Sequence, residues 1–192
     1  AAFFLLTKEV LSQDSIKLLG WGESADAYHA TSPDPNGEGA KKAIQKALKS
    51  ASLLERDIDY INLHGTGTKF NDSMEAKAVD AVFGAKDSAG ENRFTGAGAN
   101  DCPSCPVPVS STKPLTGHTL GAAGALELAV CFLASKHQIL PVHRWDGERD
   151  ERIPPLNFVN KSDCPSPLRY CMSNSFAFGG CNASLILHNE RV

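Results

Sequence analysis

The sequence has no apolar run long enough to cross a lipid bilayer. The longest candidate, Ala122–Ser135, spans too few residues and contains Glu127. Basic residues are not in excess either, since 19 Lys and Arg stand against 22 Asp and Glu, for a formal net charge of −3. We therefore expect no membrane span, and the charge balance argues against nucleic acid as a partner.

The chain also lacks an initiator methionine and a basic leader. Its first ten residues, AAFFLLTKEV, form an apolar run too short for the core of a signal peptide. We interpret residues 1–10 as a buried strand entered partway. This interpretation predicts that the 192 residues are a piece of a longer protein.

Without a secretory leader, the six cysteines are expected to be free thiols in a reducing compartment, so a cytoplasmic location is expected. Cys102 and Cys105 form a single C-x-x-C in DCPSCP. No second pair at zinc-finger spacing exists among Cys131, Cys164, Cys171 and Cys181. A proline-rich surface loop is favoured over a zinc or redox site, and no metal site is predicted.

Strand and helix signals alternate along the chain. Strands are predicted at SIKLLGWGES, IDYINLH and VPVSST, and two more flank a Phe/Gly turn in LRYCMSNSFAFGGCNASLILH. Residues 85–106 are polar and rich in Gly and Pro, which predicts a long loop. The sequence has no internal repeat, and the alternation predicts an α/β protein built on a layered sheet.

Three helices are predicted between these strands. GAKKAIQKALKSASLL repeats apolar residues at helical spacing. NDSMEAKAVDAVFG predicts a second amphipathic helix, with Asp72 as N-cap, Glu75 completing a capping box and Gly84 as its stop. Residues 121–135 are apolar nearly all round, which predicts a buried helix.

The segment YINLHGTGTKFNDSMEAKAV places His64 where a strand ends, before a tight GTGT turn. Ligand-binding groups in α/β folds gather at that end of strands. The turn matches neither the dinucleotide fingerprint nor the P-loop pattern. Taken alone, His64 would be interpreted as a histidine satisfied by backbone groups.

The segment SSTKPLTGHTLGAAG places Lys113 and His118 before the apolar helix. Gly117 and Gly121 allow a ligand to approach the backbone closely. A low-dielectric position for His118 would favour its neutral form. A buried Lys113 needs a partner, and Glu75 is an available carboxylate, although helix capping is its simpler role.

The third segment, NSFAFGGCN, sets Phe176 and Phe178 beside a flexible Gly179-Gly180, which on its own indicates a hairpin turn with two core phenylalanines. Together the three segments resemble the β-ketoacyl-acyl-carrier-protein synthases, of the elongating KAS I/II-like type. The pattern is H-G-T-G-T with N-D-x-x-E, then S-S-T-K-x-x-x-G-H-x-x-G-A-A-G, then N-S-F-x-F-G-G-x-N. DAYHATSPDPNG, residues 26–37, adds a fourth similar stretch, and the resemblance covers essentially the whole chain.

The resemblance implies the C-terminal half of a thiolase-like fold, a mixed five-stranded sheet layered with helices, one of them buried. Residues 1–192 would form one C-terminal ketosynthase domain. The family's enzymes are about twice this length, so the N-terminal half and its nucleophilic cysteine are expected to lie outside the sequence. None of the six cysteines present matches the context of that nucleophile.

The resemblance also implies a reaction: decarboxylative condensation of an acyl-enzyme with malonyl-acyl-carrier protein, in fatty acid or polyketide-type synthesis. His64 and His118 match the family's pair of histidines, whose neutral rings donate to the thioester oxygen as negative charge develops there. Lys113 matches the lysine near them, and Glu75 the carboxylate that neutralises it. Phe178 matches the aromatic residue that gates the acyl pocket.

Substrate-binding roles follow from the same likeness. The hydroxyl groups of Thr66 and Thr68, joined by Thr31, resemble those that hold the pantetheine arm, and Phe176 and Gly179 belong to the acyl-pocket turn. No cofactor is expected beyond the phosphopantetheine arm of the acyl carrier protein. Further expected partners are the N-terminal half and, in the full-length protein, a second copy in a homodimer.

Other functions stay open. A non-catalytic chain-length partner subunit of a ketosynthase heterodimer shares this fold, but such subunits tend to lose the catalytic histidines. Thiolases and the other condensing class pair their cysteine with a different set of residues. A binding module for the carrier protein would require the chain to fold alone. Acyl-chain length and pathway are undetermined by the sequence.

Overall fold

The structure, a computed structural model, describes residues 1–12, 14–84, 105–148, 150–151, 153–162, 164 and 166–192. Within these residues six strands form one mixed sheet in the order β1-β6-β5-β2-β3-β4. The strands are β1 (Lys17–Ala25), β2 (Tyr60–Asn62), β3 (Pro108–Ser110), β4 (Asn157–Phe158), β5 (Tyr170–Phe176) and β6 (Cys181–His188).

The sheet has a parallel part and an antiparallel part. β2 pairs in parallel with β3 on one side and with β5 on the other, and β3 pairs in parallel with β4. The hairpin partner β6 runs antiparallel to both β5 and β1. The carboxyl ends of β2, β3 and β5 therefore meet at one edge of the sheet.

In the part of the chain that the structure describes, four α-helices flank the sheet: α1 (Glu38–Ala51), α2 (Lys69–Phe83), α3 (Lys113–Thr116) and α4 (Ala123–His137). Single 3₁₀ turns lie at Glu55–Asp57, Leu120–Ala122 and Phe178–Gly180. Because side chains alternate along a strand, Ile61 faces a core shared with α1 and α2, whereas Tyr60 faces a core shared with α4. The chain is thus a layered α/β protein with an apolar core on each face of the sheet.

Helix α1 lies directly on β1 because that strand carries glycines. A Cβ at Gly22 would lie 2.1 Å from the carbonyl oxygen of Ala43, and one at Gly20 would lie 2.6 Å from that of Ala47. No side chain can occupy that space without moving the helix. The apolar helical spacing noted from the sequence is buried against this face.

Three sequence expectations about elements are wrong. Residues 1–10 are largely exposed and form no strand, with Phe3 94% exposed. The sheet has a sixth strand, β4, because two residues that follow a proline-rich stretch pair with β3. Helix α4 is only partly buried, with Leu133 51% exposed, because one side of the helix packs on the sheet.

Helix α2 also begins earlier than expected. Its N-cap is Thr68, and Asp72 lies in its first turn, where Oδ1 accepts the backbone N–H of Gly67 at 3.2 Å. The stop at Gly84 is confirmed. Most of the loop expected over 85–106, with Cys102 of the C-x-x-C, lies outside the described residues, while Cys105 is buried. No described helix combines the length and the apolar character that crossing a membrane requires.

Candidate active site

The three polar segments noted in the sequence follow the carboxyl ends of neighbouring parallel strands. His64 lies two residues after β2, Lys113 three residues after β3, and Phe178 two residues after β5. Since β5, β2 and β3 are adjacent in the sheet, their following loops lie side by side. The sheet order, rather than any local signal, brings these residues together.

The turn that carries His64 is held by Glu75 of α2. The two carboxylate oxygens of Glu75 accept the backbone N–H groups of His64 and Gly65, each at 2.8 Å. Burial raises the pKa of Glu75, while the charge of His64 and the two N–H groups oppose this rise. Gly65 has φ +44°, and a Cβ there would lie 2.6 Å from Cβ of Ser111. The turn is therefore packed against the loop that follows β3.

Lys113 is buried, with 7% of its surface exposed, and its ammonium forms an ion pair with Glu127 of α4. The same ammonium donates to the carbonyl oxygen of His64 and lies 3.4 Å from His64 Nδ1. An ammonium can only donate, so Nδ1 accepts, and the proton lies on Nε2 when the ring is neutral.

The expected partner of Lys113 was Glu75, and this expectation is wrong. Glu75 is committed to two backbone N–H groups, whereas Glu127 lies beneath Lys113, where α4 passes under the loop. Among the described residues Glu127 Oε2 has no hydrogen-bond partner, and it lies 4.0 Å from His64 Nδ1. One sequence signal could have identified Glu127: it is the single charged residue of the apolar run 122–135.

The rings of His64 and His118 meet edge to face, with centroids 5.3 Å apart and planes at 85°. His118 Nδ1 accepts the backbone N–H of Leu120 at 3.2 Å, so its proton also lies on Nε2 when the ring is neutral. Burial lowers the pKa of His118, and the charges of Lys113 and His64 lower it further, against Glu127. The expectation of a low-dielectric position is wrong for this chain, because His118 is exposed in the loop before α4.

The two phenylalanines of the third segment have different environments. Phe176 ends β5, is 3% exposed, and its ring centroid lies 6.3 Å from that of His64. Phe178 is 71% exposed in the turn where Gly179 has φ +80°. Phe176 thus packs beside His64 in the interior, while Phe178 is exposed to solvent.

The three threonines are not all together. Thr66 and Thr68 share a hydrogen bond between their hydroxyl groups at 2.8 Å. Thr31 is exposed, and its N–H and hydroxyl lie 3.2 and 3.3 Å from Nδ1 of His29. The pair at 66 and 68 lies in the His64 turn, whereas Thr31 belongs to the loop between β1 and α1.

A cleft of about 1230 Å³ opens from these groups. One end is lined by Thr66, Glu75, Lys113 and His118, and the other by His143, Trp145 and Phe158. The aromatic end was missed in the sequence, since its members are separated by a loop and match none of the segments that suggested chemistry. At the polar end His118 lines the cleft, and His64 contacts the His118 ring edge to face behind it, beside the buried Lys113–Glu127 pair. Imidazole N–H groups in this position can donate to an anion that forms in the cleft.

Comparison with known proteins matches residues 16–144 to the family described as beta-ketoacyl synthase, C-terminal domain. The chain is 40% identical over 174 residues to a mitochondrial 3-oxoacyl-[acyl-carrier-protein] synthase of Arabidopsis thaliana, covering 88% of this chain and 34% of that protein. It is 38% identical over 171 residues to the 3-oxoacyl-[acyl-carrier-protein] synthase 2 of Coxiella burnetii, covering 89% and 37%.

A solved structure gives the same result. A chain from the complex of a ketosynthase with its chain length factor, from Xenorhabdus doucetiae, superposes with a TM-score of 0.72 at 44% identity, covering 90% of this chain and 39% of that chain. The chain therefore spans about a third of the length of the curated relatives it matches.

Proposed function

This chain belongs to the beta-ketoacyl synthase family, whose C-terminal domain it matches, and from that premise we propose that it supplies the malonyl-decarboxylating half of a condensing enzyme's active site. Its fold is the C-terminal half of the thiolase-like fold. The proposed activity of the whole protein is acyl transfer, as a 3-oxoacyl-acyl-carrier-protein synthase. Residues 1–192 act as one domain of it, and the nucleophilic cysteine lies outside them.

The perpendicular pair of His64 and His118 carries the proposal. Each ring has its Nδ1 engaged as an acceptor, so each has an Nε2–H available as a donor. When the bond to the malonyl carboxylate breaks and carbon dioxide leaves, its electron pair moves onto the thioester carbonyl and an enolate oxygen forms. Two donors directed at that oxygen stabilise the enolate in place of water.

The remaining steps use the same pocket. The enolate carbon attacks the acyl thioester on the cysteine, a carbon–carbon bond forms, and the cysteine leaves as thiolate. Lys113 donates to Nδ1 of His64, which leaves Nε2–H as the donor of the neutral ring, and Glu127 compensates the lysine charge. Glu75 holds the His64 turn through its backbone.

Binding roles for the other residues remain part of the proposal. We assign Thr66 and Thr68 to the pantetheine arm because their hydroxyls lie in the His64 turn, and Thr31 to the same arm from the adjoining loop. Phe176 and Gly179 shape the acyl pocket, and Phe178 gates it. The acyl carrier protein brings the arm, so the domain needs no cofactor of its own, and the complete protein is proposed to form a homodimer.

The cytoplasm is the proposed location. Its support is that the five cysteines among the described residues are free thiols, the form in which a reducing compartment keeps cysteine. Cell fractionation tests this, and recovery in an organelle or outside the cell would contradict it.

The test is malonyl-acyl-carrier-protein decarboxylation by the full-length protein. His64→Ala and His118→Ala should each slow it by about 10²-fold or more, the usual cost of one oxyanion donor. His137→Ala is the matched control, because His137 lies exposed in the last turn of α4. Decarboxylation at the parent rate by both site variants would refute the two-histidine assignment.

The second candidate is a non-catalytic chain-length partner subunit. The observation that supports this candidate is the match to a chain from the complex of a ketosynthase with its chain length factor. Both histidines and the buried lysine are retained here, which supports the catalytic function instead. A full-length protein without a cysteine nucleophile and without decarboxylase activity would establish the partner subunit.

A further inference from the structure

His143 lies outside every segment that suggested chemistry, in the stretch between α4 and β4. Its backbone N–H donates to the carbonyl of Val159 at 2.8 Å, and the N–H of Val159 donates to the carbonyl of Val109 at 3.0 Å. Val109 is the central residue of β3. The backbone at His143 is therefore tied to the strand that leads into the Lys113 loop.

The ring of His143 is held by aromatic neighbours. It stacks on Phe158 with centroids 4.5 Å apart and planes at 17°, and lies 6.0 Å from the ring of Trp145. Trp145 and Phe158 contact each other as well, at 5.2 Å. A ring held in this way keeps one orientation, so its nitrogen atoms occupy fixed positions.

The inner nitrogen of this ring is an acceptor for the active-site loop. His143 Nδ1 accepts the backbone N–H of Ser111 at 3.1 Å. The hydroxyl of Ser111 in turn donates to the carbonyl of Gly65 at 3.1 Å and accepts the N–H of Lys113 at 3.3 Å. Ser111 thus links the His64 turn to the Lys113 loop, in addition to the direct bond from the Lys113 ammonium to His64, and His143 holds Ser111 from the outside.

We propose that His143 is a positioning residue, which sets the distance between His64 and Lys113 by fixing Ser111 between their two loops. Small displacements of this kind are costly, since a shift of about 1 Å in a reacting group can lower a rate by about 10²-fold. Gly65 and Ser111 are packed against each other, so a displacement of Ser111 would be passed on to the His64 turn. This inference rests on the proposed function, because the reaction whose rate His143 affects is the proposed decarboxylation.

Two substitutions in the full-length protein test separately the two features of His143, its hydrogen-bond acceptor and its aromatic ring. His143→Phe keeps an aromatic ring on Phe158 and removes the acceptor, so kcat for malonyl-acyl-carrier-protein decarboxylation should fall about tenfold while KM stays within about twofold. His143→Asn keeps an acceptor near the position of Nδ1 and removes the ring, so it should restore most of kcat while lowering the melting temperature.

His188→Phe is the matched control. His188 stacks on Tyr170 at 4.6 Å and 16°, in the same way, but at the other end of β5. The His188→Phe variant should therefore keep the parent kcat for decarboxylation. If kcat follows melting temperature in both His143 variants, or if His143→Phe keeps the parent kcat, His143 is structural only and the proposal is wrong.

Amide hydrogen exchange gives a readout that does not depend on the reaction. His143→Phe should speed exchange across residues 107–118, while His143→Asn and His188→Phe should not. If the parent protein proves unable to decarboxylate malonyl-acyl-carrier protein, the proposed function fails, and exchange still decides whether His143 fixes the loop. Unchanged exchange in His143→Phe would overturn the positioning role.

Discussion

A buried lysine with one carboxylate partner sets the charge of this site. Lys113 and Glu127 are each almost fully buried, and ions taken out of water are tolerated only as pairs. The pair also lies against His64, so it influences which ring nitrogen of His64 carries the proton. Loss of either partner is therefore expected to affect both stability and catalysis.

Glu127→Gln should lower the free energy of unfolding by about 3–5 kcal/mol, because it leaves the Lys113 ammonium buried without its carboxylate. Urea unfolding of the full-length protein measures this. The double variant Lys113→Met with Glu127→Gln should recover much of the loss, since no buried charge then remains. A strong coupling of Lys113→Met to Glu75→Gln, with none to Glu127→Gln, would contradict the observed pairing.

The protonation of His143 can be tested through the pH dependence of the free energy of unfolding. Burial lowers the pKa of His143 below its ordinary 6.5, and protonation of Nδ1 would break the bond from the Ser111 N–H. A lowered pKa in the folded state stabilises the fold fully above pH 6.5, and this contribution is lost as the pH falls from 6.5 towards the lower value.

When the pH is lowered from about 7.5 to about 5.5, the free energy of unfolding should therefore fall less in His143→Phe than in the parent. The reason is that the variant lacks the imidazole whose protonation costs the parent stability. Urea midpoints at the two pH values measure it. His118 and His188, whose pKa values are also lowered, titrate in both proteins and cancel in the comparison. Equal losses in parent and variant would mean that His143 is protonated as readily as in the unfolded chain.

Strand order explains why distant segments share one site. β5, β2 and β3 are neighbours and run in parallel, so the turns after Phe176, Asn62 and Ser110 open on the same side. The turn after β2 needs a glycine at position 65 for its positive φ and for its contact with Ser111. Each element thus contributes one loop, and the sheet fixes their spacing.

The turn between β5 and β6 separates a packing role from a gating role. Phe178→Ala should leave the melting temperature nearly unchanged, because the side chain is exposed, while it changes which acyl-chain lengths the full-length protein accepts. Phe176→Ala is the contrast, and should cost about 3–5 kcal/mol as a buried aromatic residue. A collapse of the melting temperature with unchanged selectivity in Phe178→Ala would identify Phe178 as core.

Many large apolar side chains are exposed among the described residues. These include Phe3, Leu5, Leu6, Leu115, Leu120, Leu133 and Phe178. Several of them lie beside the active-site loops and on the outer side of α4. Apolar surface of this kind marks contact with another protein segment, which agrees with the proposal that a further half of the enzyme packs here.

The isolated 192-residue chain should form no condensation product from acyl- and malonyl-acyl-carrier protein. A covalent acyl intermediate requires an activated nucleophile, and burial raises the pKa of Cys105, Cys131 and Cys171, which keeps these thiols protonated. Its exposed apolar surface should also make it self-associate, as sedimentation would show. Condensation by the purified chain would mean that a cysteine within it is the nucleophile.

Local pattern alone was enough to identify the residues at the polar end of the cleft. His64, Lys113, His118 and the Phe/Gly turn are read directly from short motifs, and strand alternation correctly predicted β1, β2, β3, β5 and β6. Such signals involve residues a few positions apart, whose backbone geometry and face are determined by neighbours in the chain. The resemblance of the three motifs to a known family then implied the family and its fold class.

Contacts between distant residues were decided only by the tertiary structure. The sequence suggested Glu75 as the partner of Lys113, but α4 passes beside the Lys113 loop and supplies Glu127, while α2 holds Glu75 at the His64 turn. His143 and Ser111 are 32 positions apart in the sequence. They come into contact because the backbone near His143 bonds to Val159, which bonds to Val109 of β3. Neither contact has a periodic or motif signature, because each depends on where a loop lies relative to a sheet that only the complete fold assembles.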